Sequence, residues 1–134
     1  MKKYLLDTNI CVFLFRNKYS VAQKMDEIGV ENCYISSVTV AELKYGLEYG
    51  GATSKSRKQL DHFLSCINIV TFETSIDVYA REKSRLRKEG LLIDDFDLLI
   101  ACAAIAKGYT LVTDNMKHFG RVKNVKIENW VDRQ

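Results

Sequence analysis

Three acidic residues, far apart in the chain, have the side chains and settings to do chemistry together: Asp7 in YLLDTNI, Glu42 in SSVTVAELKYG and Asp97 in IDDFDLLIACAAIAKG. Carboxylates gathered on one sheet edge form an anionic cup suited to hard divalent cations, and a cation so held activates water and stabilises charge in phosphoryl chemistry. Each acid also has a plainer reading. Asp7 follows the apolar run YLL, where an aspartate often caps the next helix. Glu42 lies among Val38, Val40, Ala41, Leu43 and Leu47, a costly setting for a charge unless it is solvated, paired or metal-bound. Asp94, Asp95 and Asp97 place three acids within four residues, more than capping requires, and mutual repulsion raises their pKa values unless a cation or base offsets it. Thr113, Asp114 and Asn115 fall at the end of another apolar run, LVTDNMKHF, and His118 beside them is either a base or metal ligand or an inert surface histidine.

These residues act together only if the chain brings them to one edge, and its element pattern predicts that. YLL (4–6), CYIS (33–36), NIVTF (68–72), YTLVT (109–113) and VKIENW (125–130) read as short strands. Between them lie helical spacings: TNICVFLFRN capped by Thr8 or Asn9, VAQKMDEIG ending on Gly29, a helix from Ser37 to Gly50 and Gly51, and ATSKSRKQLDHFLSCI with Leu60, Phe63, Leu64 and Ile67 inward. A further helix over 75–88 carries Ile76, Val78, Tyr79 and Leu86, another runs from Asp94 or Asp95 to Lys107 with Gly108 as terminator, and a short turn covers 115–119. Alternation of β and α without hairpin signals predicts an α/β fold, a three-layer α/β/α sandwich on a central parallel sheet of four to five strands. In such a sheet the carboxyl ends of the strands carry the ligand site.

At 134 residues the chain suits a single domain, 1–134. Its apolar runs are too short to span a bilayer, and the start lacks the features of a signal peptide. Four cysteines without a CxxC pair read as reduced thiols, so a cytoplasmic location is expected. The formal net charge is +3, with a sequence pI near 8.6. The basic residues are clustered: Lys55, Arg57 and Lys58; then Arg81 to Lys88, including Arg85; then Lys117 to Lys126. Solvated helix faces explain such runs, and basic flanks around an acidic centre also suit an enzyme acting on nucleic acid.

Taken in order, LLDTNI, SVTVAELKYG, IDDFDLLIACAAIAKG and LVTDNMKHF ending in IENW resemble the PIN-domain ribonucleases, specifically VapC-type toxins of toxin–antitoxin pairs. The resemblance spans nearly the whole chain. It implies that Asp7, Glu42 and Asp97 bind Mg²⁺ or Mn²⁺, with Asp94 in support, and that Asn115 occupies a fourth position that is Asp in some members. Thr8, Asn9, Ser37 and Thr113, with Asp114, then orient carboxylates or metal-bound water. It also implies an endoribonuclease that inhibits growth by cutting transfer or ribosomal RNA. Such a protein forms a homodimer and is silenced by a VapB-type antitoxin, here through a groove expected near Phe13, Phe15, Tyr45 and Tyr49. Lys55, Arg57, Lys58, Arg85 and Lys117 are the expected contacts to the RNA backbone. Two rival readings are a catalytically silent RNA-binding module of the same fold and a strand-end-aspartate phosphatase or phosphotransferase. The second usually needs an acid two residues after the nucleophile, where this chain has Asn9.

Overall fold

Every residue of Tyr4–Leu6 is buried, which marks this strand, β1, as the centre of a sheet covered on both faces. The computed structural model describes residues 2–134. Four more strands follow: β2 (Cys33–Ser36), β3 (Asn68–Val70), β4 (Thr110–Val112) and β5 (Lys126–Glu128). All pairings are parallel, in the order β3-β2-β1-β4-β5, and Leu5 stands opposite Tyr34 on one side and Leu111 on the other. The chain builds outward from β1 through β2 to β3, then crosses back to β4 and β5. The point of reversal therefore lies between β1 and β4.

Among the described residues seven α-helices cover the sheet: α1 (Thr8–Phe15), α2 (Val21–Ile28), α3 (Ser37–Tyr49), α4 (Ser54–Cys66), α5 (Ile76–Lys88), α6 (Asp95–Lys107) and α7 (Met116–Phe119). The period-two alternation of β1 divides the core. Tyr4 and Leu6 join Ile10, Met25, Leu43, Leu60 and Phe63, while Leu5 on the other face meets Leu86, Leu98, Ala101, Leu111 and Phe119. Fully burying a side chain such as Leu5 or Ile10 contributes roughly 1.5–3 kcal/mol. Near the middle of α6, Ile100 to Ala104 are all fully buried against the Leu5 face of the sheet. It ends at Gly108, whose φ of +73° suits the left-handed terminator expected there.

The structure differs from the sequence reading at several ends. Asp7 caps α1, as its plainer reading had it, and Thr8 and Asn9 do not. The third strand stops at Val70 and leads into a 3₁₀ turn, Phe72–Ser75, because Ser37 Oγ accepts the Phe72 N–H and the Ser75 hydroxyl donates to the Phe72 carbonyl. Ile76 is exposed rather than inward, and Leu86 alone of the expected α5 stripe is fully buried. The last strand is three residues long. Trp130, beyond it, leaves the ladder to pack on the Tyr4 ring at 5.3 Å.

Candidate metal centre at the carboxyl edge of the sheet

Because α1 and α3 follow parallel strands and α6 runs back before one, the starts of all three helices share the edge where β1, β2 and β4 end. Their backbone N–H groups make this edge favourable for negative charge. Asp7 enters it directly from the central strand and is 4% exposed. Both of its oxygens are held: the Thr8 N–H donates to Oδ1 at 2.8 Å and the Thr113 hydroxyl to Oδ2 at 2.9 Å. Burial nonetheless pushes the Asp7 carboxyl above its ordinary value; the two hydrogen bonds oppose that rise and the Glu42 charge adds to it.

Glu42 extends from the second turn of α3 toward the start of α1. The Thr8 hydroxyl donates to Glu42 Oε1 at 2.7 Å and lies 3.0 Å from the Thr39 hydroxyl. Thr8 has one proton, already given to Glu42, so Thr39 is the donor to Thr8. Thr39 is fully buried, and sequence reasoning missed it. A threonine three residues before a glutamate on a helix is the local signal, since the two share a face.

Asp97 is the acid left without compensation. Asp95 is neutralised by Lys83 at 2.9 Å and accepts from the Tyr79 hydroxyl, and the two, Lys83 first, hold its carboxyl below the usual range. Asp94 caps α6, accepting the N–H groups of Phe96 and Asp97. Half-buried Asp97 is pushed up to about 7, first by burial and then by the charges of Asp7, Asp94 and Glu42. The charges of Asp7 and Glu42 thus act on Asp97, and that of Glu42 on Asp7. Among the described residues none of the three is ion-paired.

Oxygen-only donors at a helix-rich strand edge fit a hard divalent cation, and the unrelieved repulsion at Asp97 is what such a cation would remove. Among the described residues no three acid, histidine or cysteine side chains are already closed onto one point. The acids therefore share an edge without being drawn in to ligand distance.

At the expected fourth corner Asp114 and Asn115 point to different tasks. Asp114 pairs with Arg133 and accepts from Asn129, which holds its carboxyl below the usual range and fastens the C-terminal segment. The Asn115 N–H donates to Thr113 Oγ1 at 3.0 Å, and its side chain faces His118. Besides Asp114, two more expected orienting groups are not joined to the acids. Ser37 is spent on the Phe72 N–H, and Asn9 is exposed with no side-chain hydrogen bond among the described residues.

The basic residues separate in the same way. Lys55, Lys58 and Lys117 are exposed. Arg57 is bound to Glu48 at 2.8 Å, and Arg85 holds Glu82, Glu89 and the Arg121 carbonyl. Arg16, not singled out from the sequence, lies on a groove of about 490 Å³ that runs from Glu42 between α1, α3 and α4. Val12, Phe15, Leu43, Leu47 and Leu60 give that groove its apolar wall, and Gly46, Gly50 and Gly51 keep it open. The expected aromatic lining is only partly present: Phe13 packs edge-on against Tyr19, while Tyr45 and Tyr49 stack on each other in solvent at 5.9 Å. A larger depression of about 670 Å³ lies at the opposite sheet edge among Lys2, Lys3, Lys107 and Lys126. Its one lining acid, Glu128, is paired with Lys2.

A parallel sheet in this order, with buried Asp7 at its reversal and acids from α3 and α6 beside it, defines a PIN-type α/β domain. A sequence model of the PIN domain matches residues 4–125, and the chain belongs to that family. It is 40% identical over 131 residues to Ribonuclease VapC2 of Rickettsia felis, covering 95% of this chain and 97% of that one. It is 29% identical to the tRNA(fMet)-specific endonuclease VapC of Salmonella typhimurium, covering 97% and 99%. Among solved structures, VapBC2 from Rickettsia felis bound to a promoter DNA fragment superposes with a TM-score of 0.86 at 37% identity, covering 95% of this chain and 98% of the other. DNA-bound VapBC from Salmonella typhimurium superposes with a TM-score of 0.88 at 28% identity, covering 97% and 99%.

Proposed function

We propose that this chain is the endoribonuclease toxin of a toxin–antitoxin pair, that it hydrolyses RNA phosphodiester bonds with Mg²⁺ or Mn²⁺, and that a VapB-type antitoxin silences it. The observation that carries the metal requirement is Asp97: a half-buried carboxyl under the charges of Asp7, Asp94 and Glu42, with no ion-pair partner among the described residues. Family membership and the names of the related ribonucleases support the substrate class.

Asp7, Glu42 and Asp97 would hold the cation, with the Asp94 charge at the rim. Bound there, a divalent cation lowers the pKa of water and offsets the charge that builds on the phosphate. The protein's own groups prepare that site. Thr113 and the Thr8 N–H hold Asp7 in one rotamer, and Thr39 through Thr8 holds Glu42, so two carboxylates are oriented before any ligand arrives. The starts of α1, α3 and α6 direct N–H dipoles at the edge where phosphate charge develops. Lys55, Lys58, Lys117 and Arg16 are placed to draw in the RNA backbone. No histidine acid–base pair is needed, and the three acids argue against a silent module.

The groove between α1, α3 and α4 suits the antitoxin segment, because it has an apolar wall of Val12, Phe15, Leu43, Leu47 and Leu60 and opens on Glu42, so its occupant also covers the acids. Exposed Ile69, Phe72 and Ile76, on edge strand β3 and the turn into α5, suit the homodimer contact. The four cysteines are free thiols, in keeping with action on RNA in the cytoplasm. No helix among the described residues is long and apolar enough to cross a membrane.

Induction in cells tests the reading. Expression of the chain alone is expected to arrest growth and create new RNA 5′ ends, transfer RNA being the first class to examine, and the Asp7→Asn variant to do neither. Unimpaired growth at high levels of soluble wild-type protein would count against toxicity.

A further inference from the structure

We propose that His118 is a positioning residue that fixes the Asn115 side chain as a hydrogen-bond donor at the fourth corner of the acidic cluster, an inference that rests on the ribonuclease reading above. Asn115 Oδ1 accepts the backbone N–H of His118 at 3.4 Å, and Nδ2 lies 3.1 Å from His118 Nδ1. An amide nitrogen has no lone pair to offer, so His118 Nδ1 is the acceptor and the ring proton sits on Nε2. The amide is thereby locked in one orientation, with its oxygen engaged and its nitrogen carrying one further hydrogen that no other described group takes. From the other side, the Asn115 N–H donates to Thr113 Oγ1, whose own proton goes to Asp7 Oδ2. A chain of hydrogen bonds thus runs from His118 through Asn115 and Thr113 to Asp7.

The consequence is chemical. An aspartate here would add another negative charge beside acids already left uncompensated, whereas the locked amide offers an N–H and no charge. A donor of that kind suits a phosphate oxygen of RNA or the oxygen of an oriented water. The neighbouring carboxylate, Asp114, is committed to Arg133 and offers no substitute. His118 touches none of the reacting atoms in this scheme and acts only through Asn115.

The test compares His118→Leu, which keeps bulk at the Nδ1 position without an acceptor, with His118→Asn, which restores an acceptor there. The expected result is that H118L lowers kcat roughly tenfold while KM stays within about twofold. H118N is expected to recover most of that loss, and both variants to melt close to the wild type. Wild-type cleavage by H118L, equal loss in H118N and H118L, or a loss confined to KM each overturns the proposal. The Asn115 side-chain amide signals in NMR give a readout independent of cleavage: they are expected to shift in H118L and return toward wild type in H118N. Unchanged signals in H118L overturn the proposal by themselves. A wild type that cuts no RNA yet shows these shifts would instead unseat the ribonuclease reading and leave the positioning role standing.

Discussion

The Thr113 hydroxyl donates to Asp7 Oδ2 at 2.9 Å across 106 residues of sequence, in a buried contact between the ends of β4 and β1. The same hydroxyl oxygen accepts the Asn115 N–H, so one threonine ties the central acid to the loop that carries the fourth corner. Thr113→Val keeps the shape and removes both bonds. It is expected to cost about 1–3 kcal/mol in thermal or denaturant unfolding, the loss typical of a buried hydrogen bond to a charged group. Cleavage is expected to fall at least as much as in H118L, since Asp7 itself loses its rotamer. A variant as stable and active as the wild type would show that Asp7 needs no such support.

Proton linkage gives a second expectation, for protein stripped of divalent metal. Asp7 and Asp97 both titrate above the ordinary carboxylate range in the folded chain, Asp97 at about 7. Between about pH 4 and that value the native state therefore binds more protons than the unfolded chain, and stability falls as pH rises through this window. Asp97→Asn removes the charged form. It is expected to raise the melting temperature at pH 8 by roughly 3–6 °C, the shift that follows from about 1 kcal/mol in a chain of this size, and by little at pH 4. Adding Mg²⁺ is expected to stabilise the wild type at pH 8 and not the variant. A shift that is the same at both pH values would contradict the linkage.

Much of the fold was legible in the sequence because each strand is a short apolar run and each helix has its own stops. Gly29, Gly50 and Gly108 end helices as their positions suggest, and β1, β2 and α6 match their predicted spans closely. Ile76 and Phe72 were misplaced because apolar spacing cannot distinguish a core-facing stripe from one near the open edge of β3. The three acids could be named, but their order of importance could not. Only the fold shows that Lys83 neutralises Asp95 while Asp97 is left bare. Thr39 escaped notice because its partner Thr8 lies on another element, and Arg16 because the groove it lines is built from three helices.

Arginines and lysines are expected to separate in salt titrations of RNA binding. Lys55 and Lys58 are exposed and unpaired among the described residues, and each alanine substitution is expected to reduce the slope of log affinity against log salt by about 0.7 if its phosphate contact is to single-stranded RNA. Arg85→Ala is expected to leave that slope unchanged and to lower the melting temperature instead. It releases Glu82, Glu89 and the Arg121 carbonyl at once. An Arg85 variant that is fully stable but binds RNA poorly would reverse this assignment.

The groove offers a direct test of the antitoxin's place. Gly46 sits within α3 with open space where a Cβ would stand, so Gly46→Ala is expected to stabilise the chain by up to about 1 kcal/mol through helix propensity. Gly46→Phe is expected to fold and to cleave RNA, yet to bind the antitoxin at least tenfold more weakly because the ring fills the groove. Undiminished antitoxin affinity in Gly46→Phe would move the partner to another face.

Cleavage of structured RNA by the purified chain, measured with Mg²⁺, with EDTA and with the Asp97→Asn variant, tests the metal-dependent acidic centre most directly. Site-specific scission with Mg²⁺ that EDTA abolishes, and a loss of about 100-fold or more in Asp97→Asn, is the expected result. Equal cleavage in EDTA, or by Asp97→Asn at the wild-type rate, would contradict it.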